Sequence, residues 1–146
     1  MLDNKRLQGL ILLTILLTST NCYAKHLYKE SVYQEFWCNK KGGILEYELP
    51  DMSRVDCLLP DYAVEFDFAR KRDECLGQAL RYAAYTNKSP ACCLIVENKK
   101  DFKYYYQLRY TIQKKELGVK LFVITPSALM RAGIFPEVKT KNKAEQ

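Results

Sequence analysis

Between Arg54 and Phe68 the chain writes two strands and the turn that joins them. Arg54 to Leu59 has strand character, Pro60-Asp61 turns, and Tyr62 to Phe68 alternates again. With the turn centred on Pro60-Asp61, a hairpin sets Asp56 opposite Glu65, with Cβ atoms about 4.5–5.5 Å apart. Alternation puts Asp67 on that same side and turns Val55, Cys57, Val64, Phe66 and Phe68 to the other. Three carboxylates on one side of an apolar hairpin repel one another. They need a cation, a proton or a basic neighbour.

The flanking sequence builds the rest of a layer around this hairpin. Tyr28, Val32, Phe36 and Trp37 recur at helical spacing from Leu27 to Lys41, and Gly42-Gly43 stops that helix. Ile44 to Leu49 reads as a first strand, closed by the turn Pro50-Asp51-Met52-Ser53. After the hairpin, Arg70 to Tyr85 is helical, with Cys75, Leu76, Ala79, Leu80 and Ala83 as its apolar stripe. Asn87 to Pro90 breaks the chain. Ala91 to Val96 is a continuous apolar run of strand length, as expected of a central strand buried on both faces. Lys100 to Leu117 suits a helix, Val119 to Thr125 a last strand and Ser127 to Ala132 a short helix. The order α-β-β-β-α-β-α-β predicts an α/β (α+β) fold with a mixed central sheet flanked by helices.

A chain of 146 residues supports one such domain with a real core. We assign it to residues 25–135, between a leader and a basic tail. Lys5 and Arg6 precede the apolar run Leu10 to Leu17, which is too short to span a bilayer, and Cys22 and Ala24 suit signal peptidase cleavage after Ala24. Residues 1–24 are thus expected to be a signal peptide, and the mature chain to be periplasmic or secreted without stable membrane insertion. A lipoprotein anchored through Cys22 is the rival, and Ser19-Thr20-Asn21 fits it poorly. Residues 136–146 are expected to be a flexible tail. Losing Lys5, Arg6 and Asp3 lowers the net charge of +6 by one, and the mild excess suits a polyanion without requiring one. Cys38, Cys57, Cys75, Cys92 and Cys93 remain, so one or two disulfides and at least one free thiol are expected after export. Cys57, Cys75 and one of Cys92 and Cys93 fall on core faces, where free thiols are the simpler expectation. With His26 the only histidine and no Cys-x-x-Cys pair, a zinc site is not expected.

The helix after the hairpin offers the acids a neighbour. Lys71, Gln78, Tyr82 and Tyr85 share one stripe, and Lys71 lies in the first turn, near the end of the strand that bears Glu65 and Asp67. Carboxylates hold a hard cation such as Mg²⁺, which acidifies water, and a lysine neutralises developing charge on phosphate. Ordinary structural roles account for the same residues: Asp56 ending a turn, Glu65 paired with Lys71, Asp67 capping the helix, Gln78 and Tyr82 as polar helix positions. Tyr104, Tyr105, Tyr106 and Tyr110 on the third long helix suit packing on the sheet with hydroxyls to solvent, and their rings are also able to stack on bases. Lys99, Lys100 and Lys103 read as a solvated face.

Asp56 on one strand, Glu65 on the next and Gln78-Ala79-Leu80-Arg81-Tyr82 on the following helix resemble the PD-(D/E)XK nuclease superfamily. The last motif is similar to the Gln-x-x-x-Tyr of its RecB-like branch, and the likeness covers roughly residues 42–125. The resemblance implies a restriction-endonuclease-like core and Mg²⁺- or Mn²⁺-dependent hydrolysis of phosphodiesters in DNA or RNA. Asp56, Glu65 and Lys71 would be catalytic, and Asp56, Glu65, Asp67 and Glu46 would ligate metal, with Gln78 and Tyr82 in support. Asp67 stands where the family motif has lysine, and Lys71 on the neighbouring helix is the replacement. In the family a further acid often comes from the first helix, here Glu30 or Glu35. The alternative is an inactive nuclease-fold domain serving as a periplasmic binding or structural module.

Overall fold

The computed structural model describes residues 26–137. The expected signal peptide and most of the expected tail lie outside them. Helix α1 spans Glu30–Lys41, followed by strands β1 (Ile44–Glu48), β2 (Arg54–Leu58) and β3 (Tyr62–Phe68). A single 3₁₀ turn, Ala69–Lys71, leads into α2 (Arg72–Thr86) and then β4 (Ser89–Ile95). A second 3₁₀ turn, Lys99–Asp101, precedes α3 (Phe102–Lys114), β5 (Lys120–Ile124) and α4 (Pro126–Arg131). The strands form one mixed sheet in chain order, β1-β2-β3-β4-β5. β2 runs antiparallel to both neighbours, whereas β3, β4 and β5 are parallel. Among the described residues no helix is long and apolar enough to cross a membrane.

Helices cover both faces of this sheet. On one face Tyr33, Trp37 and Cys38 of α1 pack with Cys57, Val64, Phe66, Cys93, Ile95 and Leu129. On the other, Cys75 and Ala79 of α2 and Leu108 and Ile112 of α3 pack with Cys92, Leu94 and Val96. β4 lies between the two layers, which is why every residue from Ala91 to Ile95 is buried and its sequence shows no alternation. β1 sits at the sheet edge and is mostly exposed.

The expected order of elements and the sheet flanked by helices are present, with differences of local detail. α1 starts at Glu30 rather than Leu27, because residues 27–29 run to a different partner, described below. The helix expected from Arg70 begins as a 3₁₀ turn and becomes α-helical at Arg72. Its buried stripe is Cys75, Ala79 and Tyr82, with Leu80 exposed. Val55 does not join Cys57 and Val64. It packs with Leu49, Ala63 and Tyr82 in a third cluster on the α2 side.

Gly42 ends α1 in the left-handed region at φ 70°, donating to the carbonyls of Asn39 and Cys38 together with Gly43. Cys38 and Cys57 then close a disulfide between α1 and β2, leaving Cys75, Cys92 and Cys93 as buried thiols. Cys57 is therefore bonded rather than free, and both Cys92 and Cys93 are buried because β4 has no exposed face. A side chain on Gly43 would meet Cys57 Sγ at 2.5 Å and Cys38 Sγ at 2.7 Å. Gly43→Ala is expected to cost about 1–3 kcal/mol, since the bridge must move to admit a methyl group. Thermal melts compare the variant with the parent under oxidising and reducing conditions. A loss that persists unchanged after reduction would place the clash elsewhere.

Candidate active site: a buried carboxylate cluster

The site lies where β2 and β3 part. Their ladder pairs Leu58 with Ala63 and Cys57 with Val64, the register expected from the Pro60-Asp61 turn. Beyond it, the Asp56 side chain takes over from the backbone: Asp56 Oδ2 accepts the N–H of Phe66 at 2.7 Å. On the other side of β2, Asp56 falls opposite Glu46, between the pairs Leu45–Cys57 and Tyr47–Val55. Glu46 takes a positive φ of 50° there, a conformation rare for a side-chain-bearing residue in a strand.

Glu65 and Asp67 follow on β3 with only 5% and 4% of their surface exposed. Glu65 Oε2 and Asp67 Oδ1 are buried without a hydrogen-bond partner. Two buried carboxylate oxygens without partners are costly, and such groups respond by holding a proton or recruiting a cation. The pKa values of the group are displaced accordingly. Burial pushes Glu65 up to about 10, and the charges of Asp56 and Asp67 add to the shift. Burial also raises Asp56 to about 6, opposed by the Phe66 N–H and helped by Glu46. Asp56 and Glu65 approach closely enough to share a proton, an interaction that lowers Asp56 and raises Glu65. Asp67 is raised to about 7 by burial and by Glu30.

Glu30, at the start of α1, belongs to the same electrostatic group. Its own pKa is raised by burial and by Asp56, and lowered by Lys71 and His26. Of the two first-helix acids, Glu30 is thus the one that reaches the cluster. Glu35 lines a groove between α1 and α4 instead. Glu46 is exposed, accepts from Gln34 Nε2 at 2.8 Å and lies 4.0 Å from Arg54. It contributes its field to Asp56 while its carboxylate is engaged elsewhere.

Lys71 ends the 3₁₀ turn after β3, four residues beyond Asp67. The charge of Asp67 raises the lysine's pKa, and Glu74, by hydrogen bond and charge, and Glu30 add to the shift. Its ammonium nevertheless rests on Glu74 Oε2 at 3.3 Å, with 59% of the side chain exposed. The lysine thus lies in the field of the acids with most of its side chain exposed. On α2, Tyr82 donates to Gln78 Oε1 at 3.1 Å and receives Arg81 Nη2 at 3.3 Å. Burial and then Glu65 raise the Tyr82 phenol. Gln78 and Tyr82 are thus joined one turn apart on the wall beside Glu65. Cys75 adds a thiol contact at 3.4 Å to the Glu65 carbonyl.

The structure adds two residues that sequence spacing did not single out. Glu97, just past β4, accepts the N–H groups of Leu27 and Tyr28 at 2.9 and 3.4 Å and the Tyr33 hydroxyl at 2.9 Å. Its other oxygen lies 2.9 Å from His26 Nδ1, and the His26 ring stacks on Phe68 with centroids 3.4 Å apart. The Glu97 contacts span 64 to 71 positions of sequence, and the His26–Phe68 stack is also non-local, so no local pattern announces them.

The donor chemistry of the cluster fits a hard cation, since its unpartnered atoms are carboxylate oxygens. Among the described residues, no three His, Cys, Asp or Glu side chains form a ready ligand group. Mg²⁺ commonly keeps several waters and binds through one or two carboxylates, a requirement that a pair of acids satisfies. Compared with protein-family models, with curated proteins and with solved structures, the chain matches none of them.

Proposed function

We propose that this chain is an exported, nuclease-like protein that hydrolyses phosphodiesters in DNA or RNA with the help of Mg²⁺ or Mn²⁺. The observation that carries the reading is the half-buried Asp56 beside the buried acids Glu65 and Asp67, with two carboxylate oxygens lacking partners and Lys71 in their field. The run α1-β1-β2-β3-α2-β4 supports it by matching the element order of the PD-(D/E)XK core, with Gln78 and Tyr82 on the helix after the third strand.

Asp56 and Glu65 hold the cation in this reading, and Asp67 or Glu30 completes the acidic wall. A bound divalent cation supplies Lewis acidity and a water of lowered pKa. Releasing the proton shared by Asp56 and Glu65 frees oxygens to coordinate, so cation affinity rises with pH. Lys71 turns from Glu74 toward Asp67, where its ammonium orients water and neutralises charge on the phosphoryl oxygens. Gln78 and Tyr82 keep α2 and its first turn in place beside Glu65.

A second reading, an inactive nuclease-fold domain acting as a binding or structural module, is favoured by the Lys71–Glu74 contact and by the want of a three-residue ligand group among the described residues. Titration with Mg²⁺ or Mn²⁺ followed by DNA cleavage separates the two. At 10 mM cation and a millimolar Kd, the parent gains about 1.4 kcal/mol of stability, which Asp56→Ala loses. Metal-dependent cleavage that disappears in Lys71→Ala supports catalysis. Cation binding without cleavage selects the second reading, and no cation binding at millimolar concentration defeats the first.

A further inference from the structure

The outward face of α3 carries two bare tyrosines in a basic field. Tyr106 and Tyr110 are 60% and 67% exposed, while Tyr104 and Tyr105 pack against the α2–α3 layer beside Leu108 and Ile112. Four residues of helix separate the two outward rings by about 6 Å along the axis. Lys103 precedes them and Lys114 follows them at the same helical spacing, so the stripe runs basic, aromatic, aromatic, basic. From Lys99 to Lys115 the chain has six basic residues and one acid, Asp101, which Arg70 engages at 3.4 Å. The cations are therefore not balanced within their own segment.

The face is also ordered and joined to the carboxylate site. Tyr106 meets Tyr105 edge-on at 5.4 Å and Phe102 at 6.5 Å, which holds its ring without covering it. At the N-terminal end of α3, Arg70 bridges to Asp101 and the Arg72 guanidinium sits 5.1 Å over the Tyr104 ring. These two residues flank Lys71, so the same turn that carries Lys71 anchors the start of the stripe.

We infer that this face of α3 binds single-stranded nucleic acid, with bases stacking on Tyr106 and Tyr110 and phosphates meeting Lys103 and its basic neighbours. Charge complementarity selects a polyanion. Exposed rings in that field select one whose bases are free to stack, which a duplex does not offer. The inference deepens the proposed nuclease reading by naming single strands as its substrate class, and it rests on that reading only for the cleavage step.

The test is fluorescence anisotropy of labelled oligo(dT) with the full mature chain in EDTA, where no cleavage occurs. Tyr106→Ala with Tyr110→Ala is expected to weaken binding by about ten- to a hundredfold, and the paired Phe substitutions to retain it. Lys103→Ala is expected to lower the salt slope of log Kd by roughly 0.7. A parent that binds oligo(dT) in EDTA but does not cleave it once Mg²⁺ or Mn²⁺ is supplied defeats the catalytic reading and leaves this one standing. Equal affinity of the double Ala variant, tighter binding to duplex than to single strand, or no binding by the parent overturns the inference. Sedimentation showing a dimer that the double Ala variant dissolves would assign the face to a second copy and overturn it as well.

Discussion

Glu65→Gln is expected to melt above the parent at pH 8 in EDTA, by about 2 kcal/mol or roughly 5–10 °C. The sign follows from proton linkage. Burial raises Glu65 from its ordinary 4.5 to about 10, so the native state keeps a proton that the unfolded chain releases. A group with that shift supports the fold fully below pH 4.5, and its contribution is lost as pH rises toward its folded pKa. Within this window one such group removes up to about 1.4 kcal/mol per pH unit. Asp67, raised to about 7, and Asp56, raised to about 6, act with the same sign over shorter windows. Glutamine fills the same space without a titrating proton, so the gap between variant and parent should vanish near pH 4 and widen through pH 8. Mg²⁺ should narrow it again, by stabilising only the parent. The check is a series of thermal melts from pH 4 to 9 with and without cation. A gap that does not change with pH would mean that Glu65 is not held protonated by its surroundings.

Much of this site was legible because its residues lie close in sequence. The Pro60-Asp61 turn fixed the β2–β3 register, and with it the meeting of Asp56 and Glu65. Helical spacing brought Gln78 to Tyr82. Other features depended on distant parts of the chain. Val55 changed sides because the ladder opens at Asp56, whose side chain captures the Phe66 N–H, and no residue pattern encodes that opening. Glu30 reached the acids, whereas Glu35 did not, because α1 starts at Glu30 after an extended entry held by Glu97. Apolar periodicity alone placed the helix start three residues too early, since Leu27 and Tyr28 look helical in spacing but give their N–H groups to Glu97. Leu80 looked like core by spacing, but the buried position is taken by Tyr82, whose ring fills the space beside Val55 and Ala63.

Glu97→Ala should be among the most damaging single substitutions outside the apolar core, costing about 3–5 kcal/mol. One carboxylate oxygen accepts from Leu27, Tyr28 and Tyr33, and the other lies against His26. Tyr33 is fully buried, so its hydroxyl would lose its partner where water does not replace it. Burial together with Glu97 raises the Tyr33 phenol, as expected of a hydroxyl that donates to a carboxylate. Freed residues 26–29 would no longer fix the entry to α1, and Glu30 at its first turn would drift from Asp56 and Asp67. Glu97→Gln keeps an acceptor oxygen for the three donors and should cost much less. Adding Tyr33→Phe to Glu97→Ala should restore part of the loss, because the orphaned hydroxyl is removed with its partner. Hydrogen exchange at the Leu27 and Tyr28 amides and melting of the four variants test the scheme together. If Tyr33→Phe and Glu97→Ala add independently, Glu97 is not the acceptor that holds Tyr33. If the amides stay protected in Glu97→Ala, the segment is held by the His26–Phe68 stack rather than by the carboxylate.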